Sequence, residues 1–158
     1  DPVGYAILVG MLSNQGAVAR TKGNKDALED FKNYELLAEQ NGDWQRDQGM
    51  TITENWLTAY GDKLKLILAN NDEMALGAVE AKEAAGRDDI VIMGVDLIPD
   101  AKQAIIDGRL DASVMQDGKG QGEGAMTVAL AALKGGKPDA YTKVPFVLAT
   151  KDNIEDFD

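Results

Sequence analysis

Six short apolar runs rich in β-forming residues alternate with five longer segments of helical periodicity, and this alternation constrains the fold of the chain more than any other feature. We predict strands over residues 5–10, 34–40, 64–70, 89–96, 112–116 and 144–149. We predict helices over residues 17–31, 45–60, 72–85, 100–107 and 122–133. Strands separated by helices favour a mostly parallel sheet joined by right-handed crossovers. The predicted fold class is therefore α/β, a three-layer sandwich with helices on both faces of a central sheet.

Charge and composition exclude several classes of function. The chain has 16 Lys and Arg against 27 Asp and Glu, a net charge of −11, which argues against non-specific binding to nucleic acid or anionic lipid. It has no Cys and no His, so disulfides, imidazole or thiolate metal sites, Ser-His triads and Cys nucleophiles are excluded. Its apolar runs are far shorter than the roughly 20 residues of a membrane span. We therefore expect no nucleic-acid partner and no membrane insertion.

Four aromatic or polar residues lie at the carboxyl ends of consecutive predicted strands, at the edge where open parallel sheets bind ligands. Trp44 follows the second strand, Asn71 follows the third, Asp96 ends the fourth and Gln116 ends the fifth. A carboxylate accepts hydrogen bonds from two neighbouring hydroxyls, amides both donate and accept, and an aromatic ring packs on the apolar face of a sugar. The set is typical of a site that recognises hydroxyl groups.

Three of these residues also have a structural explanation. Asn71 suits the N-cap of the third helix, Asp96 suits the turn before Pro99, and Trp44 suits a half-buried ring that covers the sheet. Their shared position at successive strand ends favours the binding site. No spacing fixes two carboxylates as an acid–base pair, so we predict no catalytic residue.

The chain resembles, over nearly its whole length, the second lobe of the periplasmic sugar-binding proteins of the ribose and galactose type. The resemblance rests on LANNDEMALGA at 68–78 and IVIMGVDLIPDAKQAIIDGRLDASVMQ at 90–116, with ARTKGNKDAL at 19–28, EQNGDWQRDQGM at 39–50 and KDN at 151–153. It implies a periplasmic-binding-protein-like lobe with flavodoxin-like strand order. It also implies sugar-contacting roles for Arg20, Trp44, Asn71, Asp96 and Gln116. Arg20 comes from the resemblance alone, because by itself it reads as a solvated helix charge.

Proteins of this type have two lobes, and the first lobe is missing from this sequence. The resemblance implies a sugar-binding lobe core at 1–116, a hinge crossing and helix at 117–145 that would belong to the missing first lobe, and a return strand and tail at 146–158. The chain is then a fragment, a separately made lobe or one chain of a split protein. Within the predicted helix 122–133, Met126, Ala129, Leu130 and Leu133 form one apolar stripe, which would pack on the first lobe.

The resemblance implies a receptor that performs no covalent chemistry and delivers a sugar or polyol to an ABC permease. The implied partners are that ligand, the permease in the intact receptor, and either the missing first lobe or a second copy of this chain. The implied location is the periplasm, or the cell exterior with a lipid anchor in a Gram-positive source. The calcium loop of galactose-type members has no counterpart here, so we expect no metal, and we expect no cofactor.

Two other functions remain open from the sequence. The same fold serves the effector-binding lobes of lactose-repressor-type transcription regulators, which share blocks like NDEMALGA. The segment GQGEGA at 120–125 matches the G-x-G-x-x-A fingerprint of NAD(P)-binding domains, since it follows a predicted strand and opens a helix. Its position at the last crossover, and Glu123 near the supposed pyrophosphate, argue against nucleotide binding.

Overall fold

Strands and helices alternate along residues 2–157, the part of the chain that the computed structural model describes. The strands are β1 (Val3–Val9), β2 (Tyr34–Asn41), β3 (Leu64–Ala69), β4 (Val91–Asp96), β5 (Ala112–Gln116) and β6 (Phe146–Thr150). The α-helices are α1 (Gln15–Glu29), α2 (Arg46–Tyr60), α3 (Asp72–Ala84), α4 (Pro99–Ile106) and α5 (Gly118–Leu133). Two short 3₁₀ helices occupy Gly61–Lys63 and Ile154–Asp156.

The six strands form one sheet in the order β2-β1-β3-β4-β5-β6. The first five are parallel, and β6 pairs antiparallel with β5, with Phe146 opposite Gln116. The order 2-1-3-4-5 of the parallel strands is that of flavodoxin-like folds. The predicted α/β fold with a mostly parallel sheet is therefore confirmed.

The sheet has a thick helical layer on one face and a thin one on the other. Side chains alternate along β1, so Ala6 and Leu8 join the core under α2, α3 and α4, whereas Tyr5 and Ile7 face α1. Of the described helices, α1 alone packs on that second face. The sandwich has three layers as predicted, but its α1 layer is a single helix.

Helix α5 is detached from both layers. None of its residues is buried, and the apolar side chains of Met126, Leu130 and Leu133 are 60%, 48% and 84% exposed. The helix begins at Gly118, four residues before the predicted start, because the Asp117 carboxylate accepts a hydrogen bond from Gly120 N at 2.8 Å and caps the helix there. Gly118 and Gly120, which precede the predicted start at residue 122, therefore lie inside the first turn of α5.

Candidate functional site

The carboxyl ends of the parallel strands bring the predicted site residues together around one guanidinium group. Arg20, on α1, donates from Nη2 to Gln116 Oε1 at 2.9 Å, and the same nitrogen lies 3.7 Å from Asp96 Oδ1. Its Cζ lies 5.9 Å from the centre of the Trp44 ring, a cation–π distance. Its Nη1 donates to the carbonyl oxygen of Asn70 at 2.7 Å. Residues far apart in the sequence thus meet at one edge of the sheet.

Asn71 joins this cluster and also caps a helix. Its Oδ1 accepts from Met74 N at 3.1 Å, which makes it the N-cap of α3. Its Nδ2 donates to the backbone oxygen of Trp44 at 3.2 Å. An amide oxygen can accept two hydrogen bonds and an amide nitrogen can donate two, so each atom retains capacity for a ligand. The structural explanation and the binding hypothesis for Asn71 are therefore compatible.

Trp44 is held by a strained turn after β2. Asp43 and Trp44 have φ values of 50° and 67°, in the left-handed region that non-glycine residues seldom adopt. The indole ring lies against Gly10, where a Cβ atom would come within 2.3 Å of the ring carbons. Residue 10 must therefore be glycine for the ring to take this position, half-buried above the end of β1.

Asp96 ends β4 with an unusual backbone conformation. Its φ is 119° and that of Leu97 is 56°. Burial raises the pKa of the Asp96 carboxyl above its usual range, and the nearby charge of Arg20 partly offsets that effect. The carboxylate is partly exposed, so it combines access for a ligand with an environment that strengthens its hydrogen bonds.

Two buried polar residues on either side of Asn71 support the cluster and were not predicted from the sequence. Asn70 is fully buried, and its Oδ1 accepts from Gly10 N at 3.2 Å and from Thr21 Oγ1 at 3.1 Å. Asp72 is also fully buried and accepts from the hydroxyl of Ser113 at 2.6 Å. A sequence signal for them was available, since residues 70–72 are three polar residues in succession after a buried apolar strand. Polar groups that are buried need hydrogen-bond partners.

Arg46, which follows Trp44 closely in the sequence, does not join the cluster. Its guanidinium pairs with Glu73 at 2.8 Å and Asp100 at 3.0 Å, and these contacts hold its pKa above the usual value. Arg46 therefore ties together the amino-terminal ends of α2, α3 and α4.

The site offers one carboxylate, one guanidinium, two amides and an aromatic face, which suits a neutral polyhydroxylated ligand. Within residues 2–157, no three acidic side chains converge in a way that could hold a metal ion. No helix in that range is long and apolar enough to cross a bilayer.

The nucleotide-binding alternative lacks the geometry it requires. A dinucleotide fingerprint places its glycines in the turn between strand and helix, with the helix N-terminus free for a pyrophosphate. Here Gly120 and Gly122 lie within α5, and the Asp117 carboxylate already occupies its N-terminus. The segment at 120–125 is therefore the start of a helix.

Comparison with known proteins adds a family and several relatives. The family model described as periplasmic binding protein domain matches residues 1–137. A protein of Rhizobium meliloti named for the binding of rhizopine is 44% identical over 162 residues, which cover 99% of this chain and 52% of the relative. The ribose import binding protein of Salmonella typhimurium is 36% identical over 144 residues, which cover 91% of this chain and 48% of the relative. The chain spans about half the length of the curated relatives it matches.

Solved structures agree with this match. A solute-binding protein of an ABC transporter from Bacillus halodurans, with bound myo-inositol, superposes with a TM-score of 0.91 at 38% identity, covering 99% of this chain and 54% of that one. A periplasmic solute-binding protein from Actinobacillus succinogenes, with bound D-allose, gives a TM-score of 0.94 at 28% identity, covering 99% and 56%. The resemblance stated from the sequence motifs is confirmed.

Proposed function

The chain belongs to the periplasmic binding protein domain family, and we propose that it is the second sugar-binding lobe of a receptor that delivers a sugar or cyclitol to an ABC permease. The observation that supports this best is the convergence of Trp44, Asp96 and Gln116 on Arg20 at the carboxyl edge of the sheet. Relatives named for ribose import and structures holding myo-inositol or D-allose support a polyhydroxylated ligand. They also favour a transport receptor over the effector lobe of a repressor.

Each site residue has a distinct role in this proposal. The Trp44 ring packs on the apolar face of the sugar, and the Asp96 carboxylate accepts from two adjacent hydroxyls. Arg20 donates to ring or hydroxyl oxygens while it keeps Asp96 ionised in a partly desolvated place. Asn71 and Gln116 use the remaining capacity of their amides. The lobe binds and releases its ligand without making or breaking a covalent bond, and it needs no cofactor or metal. It functions in the periplasm or at the cell exterior.

The proposed lobe arrangement follows the division at residues 117 and 146. The core at 1–116 forms the wall of the sugar cleft, and β6 returns at 146 to pair with β5. Residues 117–145 lie away from this core, and the exposure of α5 supports the proposal that its apolar stripe packs on a first lobe. Closure of the two lobes around the sugar would then be stabilised by ligand contacts made only in the closed state.

A titration followed by ¹⁵N NMR tests the proposal on the 158-residue chain itself. We expect myo-inositol, D-allose or D-ribose to shift the Trp44 indole signal and the Asn71 and Gln116 amide signals saturably. The dissociation constant should be roughly millimolar, because one lobe supplies only part of the contacts. The sugar signals should stay unchanged over hours, as expected of a protein that does not react with its ligand.

Two aspartate variants provide the matched comparison. In the intact receptor, Asp96→Ala should weaken sugar binding by about 2 to 4 kcal/mol, because it leaves hydroxyls unpaired in a desolvated cleft. In the 158-residue chain, which should bind sugar at about millimolar concentration, the same variant should show no saturable shift. Asp88→Ala removes an exposed carboxylate beyond the opposite end of β4 and should bind like the parent chain. If both variants bind alike, or if the saturable shifts map away from Arg20, the proposed site is wrong.

A further inference from the structure

A buried pair of side chains, Asp72 on α3 and Ser113 on β5, lies beneath the turn that carries Asp96. Asp72 Oδ1 accepts from Ser113 Oγ at 2.6 Å, and Asp72 Oδ2 accepts from the backbone nitrogen of Ile98 at 2.9 Å. Ser113 Oγ in turn accepts from the backbone nitrogen of Leu97 at 3.2 Å. The pair therefore binds both backbone N–H groups that follow Asp96.

We propose that Asp72 and Ser113 are positioning residues that lock the turn after β4 and so aim the Asp96 carboxylate at the sugar and at Arg20. The proposal deepens the function given above and rests on it for the ligand. It assigns no direct ligand contact to either residue, since both are fully buried.

The backbone of the turn shows why a lock is needed. Asp96 and Leu97 both have φ values in the left-handed region, 119° and 56°, and neither is glycine. Residues held in such conformations persist only where the surrounding structure imposes them. The direction of a side chain depends on the backbone angles of its own residue, so a turn that relaxed toward extended geometry would move the Asp96 carboxylate away from Arg20.

The surrounding fold makes room for the buried carboxylate. Gly94, on β4, has no side chain, and a Cβ atom there would lie 2.2 Å from Asp72 Oδ1. Asp72 is the first residue of α3, where a carboxylate can serve the helix dipole. Its two oxygens nevertheless accept hydrogen bonds from β5 and from the turn after β4, so Asp72 stabilises these segments as well as its own helix.

Burial of this charge is unfavourable, which supports a role beyond folding. Desolvation and, to a smaller extent, the charge of Asp96 raise the pKa of Asp72 from its usual 3.8 to about 6, against the opposing effect of its hydrogen bonds with Ser113 and Ile98. Replacement of a buried charged group and its partners together by well-packed apolar residues is often neutral or stabilising. The retained carboxylate is understandable if it keeps the binding residue in place.

The test uses Ser113→Ala in the 158-residue chain, with D-ribose, D-allose and myo-inositol as probes. The variant removes one oxygen from a buried position and frees the Leu97 N–H. We expect about tenfold weaker binding of whichever probe the parent chain binds. The Leu97 amide should exchange faster with solvent, and the HN–Hα coupling of Asp96 should increase as its φ moves toward extended values.

Two further variants keep the test decisive. Ser13→Ala changes the other serine of the chain, which is exposed, and should alter none of these readouts. Asp72→Asn keeps the shape of the side chain but replaces one of its two acceptor oxygens with an NH2 group. It can then no longer accept from both Ser113 Oγ and Ile98 N, so it should shift the same readouts in the same direction. Asp72→Asn also replaces Ser113→Ala if the latter does not fold.

The outcomes separate this inference from the proposed function. Parent-like affinity, or an unchanged Asp96 coupling and Leu97 exchange rate, in a folded Ser113→Ala chain would overturn the positioning role and leave the sugar site standing. If the parent chain binds none of the three probes, the proposed function fails. The coupling and exchange measurements then still decide whether the pair locks the turn.

Discussion

The carboxyl edge of the sheet and helix α5 are adjacent in the chain, at Gln116 and Asp117. The side chains at the sheet edge contact other parts of this chain, whereas most of those on α5 do not. At the sheet edge, Arg20 donates hydrogen bonds to Asn70 and Gln116 and lies beside Asp96, and Asn71 donates to the backbone of Trp44. Helix α5 is regular and capped, but its apolar side chains contact water. The first region is determined by packing within residues 2–157, and the second by local helix formation.

This difference agrees with the proposed division between a ligand-binding sheet edge and an interface helix. The sheet edge carries strained backbone and a buried charge, and the packing of the surrounding helices and strands offsets their unfavourable free energy. Helix α5 carries neither, and its apolar stripe is the kind of exposed surface that marks an interaction site.

The largest effect concerns the buried charge of Asp72. Its pKa is about 6 in the folded chain against 3.8 when exposed, mainly because of burial. Between these values the folded state binds the proton more tightly than the unfolded state, so this group lowers the free energy of unfolding as the pH rises through that window. This difference in pKa corresponds to about 3 kcal/mol of unfolding free energy, and the folded chain has lost all of it once the pH is above the folded pKa. Urea unfolding should be measured at about pH 4 and about pH 7. The unfolding free energy of Asp72→Asn relative to that of the parent chain should increase by up to this amount between the two pH values.

Asp89 provides the control for that experiment. Hydrogen bonds from Arg87 and then Lys65 hold the pKa of its carboxyl well below the usual range. Its stabilising effect is present above the unfolded value of 3.8 and is lost only as the pH falls below it, and the group is largely exposed. Asp89→Asn should therefore differ from the parent chain by a constant amount between about pH 4 and about pH 7. A constant difference for Asp72→Asn as well would show that its carboxyl is not buried as described.

The second prediction concerns the exposed stripe of α5. We expect the isolated chain to self-associate through Met126, Leu130 and Leu133, because burial of each large apolar side chain stabilises by roughly 1.5 to 3 kcal/mol. Leu130→Glu should raise the dissociation constant at least about tenfold, measured by sedimentation equilibrium. Gln121→Glu adds the same charge on the side of α5 facing residues 139–144 and should have little effect. A parent chain that stays monomeric at high micromolar concentration would contradict the association.

The sheet and the clustering of most candidate site residues could be predicted from the sequence, because both depend on short-range patterns. Each predicted strand lies in the sheet, and Trp44, Asn71, Asp96 and Gln116 were placed by their position after a strand. Arg20 lies inside a helix, where nothing in the local pattern separates a binding residue from a solvated one. It was identified only through the family resemblance. Its contacts with Asn70, Gln116 and Asp96 depend on the packing of α1 over the sheet.

The supporting residues could not be predicted because their roles depend on long-range contacts. Ser113 meets Asp72 across 41 residues of sequence, and Asn70 meets Gly10 across 60. The start of α5 was misplaced for a related reason. Glycine has a low helix propensity, so the local sequence argues against a helix at residues 118–120. The hydrogen bond from Gly120 N to the Asp117 carboxylate offsets this, but it forms only in the folded helix.

The smallest expected effect is the change in stability when glycine is replaced by alanine, which should be stabilising in α5 and destabilising at the sheet edge. Gly122 lies inside α5, and a Cβ atom added there would meet nothing within 4 Å. Alanine favours helix over glycine by roughly 0.5 to 1 kcal/mol, so Gly122→Ala should raise the helicity and slow amide exchange in α5 while sugar binding stays unchanged. The same substitution at Gly94 places a Cβ atom against Asp72 Oδ1 and should lower stability. Neither NAD nor NADP should raise the melting temperature, since the Asp117 carboxylate occupies the helix N-terminus. Loss of stability in Gly122→Ala would mean that another part of the protein packs on this glycine, and the contrast between a packed sheet edge and a free helix would fail.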